Sequence, residues 1–82
     1  MKQIINFSQD ESKIIESLRK IDFRLYEEDE IFTLSENLIG QKKYKSYIFL
    51  FEKYEKKIKK FYYEFVDMYI YCLIELENYQ KA

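Results

Sequence analysis

The chain has 82 residues, 48% of them hydrophobic and 20% aromatic, with 14 basic and 15 acidic side chains. That length supports one small domain of thin stability, and so much large apolar material excludes a disordered chain. A formal net charge of −1 gives no overall attraction to nucleic acid or anionic membrane; a lone cysteine, Cys72, and no histidine exclude an intrachain disulfide and most zinc sites.

A single glycine, Gly40, and no proline leave few residues for tight corners, so few and long elements are expected. Residues 1–7, MKQIINF, read as a short arm with Ile4, Ile5 and Phe7 on both faces. Ser8 and Glu11 have capping-box spacing, and Asp10 and Glu11 suit the positive end of a helix dipole, so a helix is expected to start near residue 9. Ile14, Leu18, Ile21 and Leu25 continue it as an amphipathic seam, with Ile15, Asp22 and Tyr26 beside that seam. At Glu27-Glu28-Asp29-Glu30 the pattern is interrupted, and it resumes as Ile31, Leu34 and Leu38 on a rotated face while Phe32 and Ile39 keep the old one. Without Gly, Pro or Asn at the interruption, a continuous or kinked helix over 9–39 is the expectation.

Gly40 then follows Leu38-Ile39 as a left-handed cap, with the turn over 40–43. From 44 to 79 no breaker occurs, and Tyr47, Phe51, Tyr54, Ile58, Phe61, Phe65, Tyr69, Cys72, Leu76 and Tyr79 form one stripe at steps of three and four. The predicted fold is therefore all-α: an antiparallel helical hairpin of two long helices completed by self-association, with a three-helix bundle broken at 27–30 as the alternative.

The second predicted helix has more apolar surface than a hairpin can cover. Lys53, Lys57, Lys60, Glu64, Asp67, Tyr71, Glu75 and Asn78 make a solvent stripe, and Phe51, Ile58, Phe65, Tyr69 and Leu76 make the seam toward the first helix. A third sector holds Tyr63, Val66, Ile70, Leu73 and Ile74. Grouped exposure of such side chains marks interaction sites, so this sector is the candidate interface for a second copy, giving a homodimer, or for a protein target.

No arrangement of residues supports catalysis, a cofactor, a metal or a small-molecule substrate. Cys72 lies on the apolar stripe and reads as core. The acidic run reads as a solvated surface near Lys53, Lys56 and Lys57, because consecutive helical carboxylates point apart. Lys42, Lys43, Lys45, Lys56, Lys57 and Lys60, interleaved with tyrosines, are the candidate contacts of an alternative role as a nucleic-acid-associated helical protein. No apolar run is long enough to span a bilayer, since Asp67 and Glu75 interrupt the best one; with the lone cysteine and no N-terminal signal pattern, a cytoplasmic location is expected. The richness in Ile, Lys, Glu, Tyr, Phe and Asn is that of an AT-rich coding sequence, as in low-GC bacteria and their mobile elements. By analogy of size and composition with phage accessory proteins, the expected role is a non-enzymatic regulatory or inhibitory module that blocks a host protein, such as a defence protein.

Overall fold

In the computed structural model, residues 10–81 are described, with side chains described through residue 78. These residues form helices α1 (Glu11–Lys20), α2 (Glu28–Gly40), α3 (Tyr44–Tyr54) and α4 (Tyr62–Lys81), with 3-10 turns at Phe23–Leu25 and Glu55–Lys57. Among the described residues the architecture is all-helical and has no strand. The predicted arm at 1–7 and the Ser8 cap lie outside the described residues.

Each of the two long helices expected from the sequence is two helices. The first ends at Lys20, where Ile21 turns to an extended conformation (φ −69°, ψ 135°). Asp22 then caps the following turn by accepting the Arg24 backbone N–H at 3.0 Å, and its carboxylate takes two further hydrogen bonds from the Arg24 guanidinium at 2.9 Å each. Glu27 is extended and caps α2, and the Glu30 carboxylate reaches back to accept the Glu27 N–H at 2.9 Å. The acidic run is thus the first turn of a new helix, where the dipole favours carboxylates, and not an interruption inside an old one. Because the helix stops at Lys20, the seam expected through Leu25 ends at Ile21. Phe23 is buried and Leu25 is exposed.

The second break has no Gly or Pro either. Glu55–Lys57 tightens into a 3-10 turn, Ile58 is extended (φ −70°, ψ 131°), and α4 begins four residues later. In an unbroken helix Lys53 and Lys57, and Lys56 and Lys60, would stand at i,i+4 and Lys56 and Lys59 at i,i+3, all like-charged pairs. The break takes Lys59 and Lys60 out of that register, while Lys57 still acts on the Lys53 ammonium. The stripe from Tyr47 to Leu76 therefore folds back on itself: Tyr54 meets Phe65 (ring centroids 5.9 Å apart) and Phe51 stacks on Tyr69 (4.4 Å), and outside the stripe Tyr44 meets Tyr71 edge-on (6.0 Å). Of the predicted seam toward the first helix, Phe51 and Tyr69 face each other across the antiparallel α3–α4 contact, while Phe65 meets both Tyr54 of α3 and Phe32 of α2.

At the α2–α3 corner Gly40 does not take the predicted left-handed conformation. It is the last helical residue, and the positive φ (61°) belongs to Lys42. Lys43 N–H bonds to Leu38 O at 2.8 Å and Lys42 N–H to Ile39 O at 2.9 Å, the paired bonds of a Schellman termination with lysine in the glycine position.

The helices surround one core in which Ile14, Leu18, Ile31, Leu38, Tyr47, Leu50, Phe65 and Cys72 are sealed from solvent. α1 runs alongside α3 in the same direction, as the Glu11–Ser46 and Lys53–Leu18 hydrogen bonds show. α2 likewise runs alongside α4, with Phe32 between Phe61 and Phe65 at 4.8 and 5.6 Å.

Candidate functional site: the outward side of helix α4

α4 is fixed in place by polar bonds that cross between helix ends. The Glu28 carboxylate, on the first turn of α2, accepts the backbone N–H groups of Lys59 (2.8 Å), Lys60 (2.7 Å) and Phe61, the residues that lead into α4. Burial alone would raise the Glu28 carboxyl, but these N–H donors outweigh it and hold the group below the usual carboxylate range. One turn further on, the buried Tyr47 hydroxyl donates to Phe65 O at 2.6 Å, pinning α4 to α3. The thiol of Cys72, sealed in the same seam, is pushed up to about 12 by burial and then by Glu11 and Glu75, so it is a core group as its place in the stripe implies.

α1 is tied to α3 in the same manner. The Lys53 ammonium donates to Leu18 O (2.7 Å), Arg19 O (2.6 Å) and Ile21 O (3.0 Å) at the C-terminal end of α1, lying over the Phe23 ring at 5.2 Å. The Glu11 carboxylate accepts the N–H and hydroxyl of Ser46, at 2.9 and 3.0 Å, in the first turn of α3. Sequence reasoning missed these roles. Glu11 was expected to serve its own helix, Lys53 to meet the acidic run and Glu28 to be solvated; their only signal was charge of the favourable sign near places where a helix could end.

With α4 so held, its outward side carries the predicted sector. Tyr63 is 80% exposed, Ile74 52%, Ile70 48% and Leu73 44%, enough to leave each available to another molecule, while Val66 is half-buried against the core. Tyr62 and Tyr71 are exposed on its flanks and extend the apolar surface. Toward α2 this surface continues into a shallow open groove lined by Glu36, Ile39, Gly40, Asp67, Met68 and Tyr71. A Cβ at Gly40 would touch nothing within 4 Å, so the groove is open at that end. The groove was not foreseen because it needs α2 beside α4, which the hairpin did not allow.

The lysines proposed for nucleic-acid contact stand in two groups at opposite ends of α3. Lys42, Lys43 and Lys45 lie at the start of α3, and Lys56, Lys57 and Lys60 follow its end. The 11 residues of α3 put about 16 Å of helix between the groups. The second group adjoins the acidic start of α2, with Lys60 Nζ 3.6 Å from an Asp29 carboxylate oxygen. Within the acidic run, Asp29 has Lys60 as a partner.

Among the described residues no group of His, Cys, Asp or Glu side chains could hold a metal ion, and no helix is long and apolar enough to cross a membrane. No protein-family model, curated protein or solved structure matches the chain.

Proposed function

We propose that the protein is a non-enzymatic interaction module that docks the outward side of α4 on another polypeptide and thereby regulates or inhibits it. The carrying observation is that Tyr63, Ile70, Leu73 and Ile74 stand together in solvent on a helix whose other side already fills the core with Phe65 and Cys72. Isolated exposed apolar residues are ordinary, but a contiguous set on one helix face is a surface for binding. The expected homodimer is one form of this reading and a separate target is the other. Likeness in size and composition to phage accessory proteins supports a blocking role.

Ile70→Glu tests it, because Ile70 is 48% exposed and the change leaves the core intact, so far-UV circular dichroism should stay unchanged and stability should move by no more than about 0.5 kcal/mol. The native protein should either associate with rising concentration in sedimentation equilibrium or bind an environment-sensitive apolar dye, and Ile70→Glu should abolish that behaviour. A strictly monomeric native protein that binds no dye overturns the reading.

A further inference from the structure

The outward side of α4 is apolar along its middle and acidic along the edge that faces α2. Tyr63, Ile70 and Ile74 supply the apolar line, Asp67 lines the groove with Glu36 across it, and Glu64 is exposed about one helical turn before Asp67. All three carboxylates are exposed, and among the described residues none is in an ion pair. Nothing nearby neutralises them from within the helices: α2 contains no Lys or Arg, and α4 contains none before Lys81. The lysines and arginines of residues 10–78 sit on α1, α3 and the connecting turns.

Resting on the interaction reading above, we infer that the occupant is a cationic amphipathic helix of another protein. It lays its apolar stripe on Tyr63, Ile70 and Ile74 and its Lys or Arg side chains along Glu36, Glu64 and Asp67. An apolar surface edged by one sign of charge selects a helix of the opposite sign, because the apolar contact supplies affinity while unpaired like charges exclude other helices. A second copy fits poorly. Pairing α4 with its own image doubles the carboxylates at the contact and brings no cation from either helix to oppose them.

The test selects, on the full-length protein, from a displayed library of helical peptides that are apolar at i, i+3, i+4 and i+7 and randomised elsewhere, with the Ile70→Glu protein as counter-selection. The expected winners carry Lys or Arg beside the apolar stripe. Their affinity should drop about tenfold in the Glu36→Lys/Asp67→Lys double variant, whose circular dichroism should match the parent, and should weaken as salt rises from about 50 to about 300 mM. Winners with acidic or neutral flanks, or binding insensitive to the double variant, overturn the cationic occupant and leave the α4 interface standing. An absence of winners with self-association that Ile70→Glu dissolves assigns the face to a second copy, which also overturns it. An absence of winners from a monomer that binds no apolar dye overturns the interaction reading itself.

Discussion

Lys42 and Gly40 show how a single position can hold unused stability. The left-handed conformation that closes α2 costs an L-residue roughly 1 kcal/mol relative to glycine, and it is occupied by Lys42 with φ at 61°. The chain's one glycine instead ends the helix, where a Cβ would meet nothing within 4 Å. Lys42→Gly should therefore raise the urea midpoint by the equivalent of about 0.5–1 kcal/mol, and Gly40→Ala by a similar amount through helix propensity. Either variant lowering the midpoint would contradict this account of the corner. Glu28 is the opposite case, a residue fully used, since its carboxylate gathers the N–H groups of Lys59, Lys60 and Phe61. Glu28→Gln should cost about 1–2 kcal/mol in urea unfolding, because a neutral amide accepts more weakly and brings donors into a nest of donors. The pH dependence has a definite sign. The unfolded carboxyl takes up a proton near pH ~4.3, whereas the folded one, held lower, resists until the pH falls further. Between those values the unfolded chain binds more protons, so the Glu28 contribution is full above the ordinary carboxylate range and is lost as pH falls through the depressed folded value. Acid titration of stability should slope less in Glu28→Gln than in the parent.

At the scale of elements, what could be read in advance was the set of faces, and what could not was where helices stop. Ile14, Leu18 and Ile21, though not Leu25, the stripe from Tyr47 through Cys72, and the surplus sector of Tyr63, Ile70, Leu73 and Ile74, though not Val66, which packs against the core, follow from three-and-four spacing, which is local. The stops near Lys20 and Glu55 depend on groups from elsewhere in the chain: Lys53 collects carbonyls more than thirty residues away, and Glu28 collects N–H groups at a similar separation. No window of sequence contains both partners, so within any one window the absence of Gly and Pro points to continuity. Two local signs of a break exist: the Glu27–Glu30 interruption, whose ends form a capping box, and Asp22 beside Arg24, a capping residue hidden within an apolar seam. If Lys53 is what terminates α1, Lys53→Met should loosen that helix selectively. Amide hydrogen exchange within Glu11–Lys20 should quicken while the seam of α3 and α4 around Tyr47 and Phe65 keeps its protection. Equal acceleration throughout would mean that the lysine supports the whole bundle and not one helix end.

For the molecule as a whole, the division of labour between the two sides of α4 depends on the core behaving as one cooperative unit. A small chain has little core to spare, and here the inner side of α4 is shared between Phe65 against Tyr54 and Phe32 and Cys72 beside Tyr47. The buried thiol is a reporter of that unity. At pH 8 Cys72 is protonated, its pKa being about 12, and sealed from solvent, so a thiol reagent reaches it only when α3 and α4 part. If parting requires global unfolding, the labelling rate should rise with urea along the slope of the equilibrium transition, and Glu28→Gln should speed it about tenfold for each 1.4 kcal/mol it removes. Lys53→Met, acting at the end of α1, should then change labelling only by as much as it changes global stability. Should labelling instead be fast and independent of urea in both variants, α4 leaves the bundle by itself. The outward face would then belong to a mobile helix, and partner binding would have to include the cost of docking α4 back on α3.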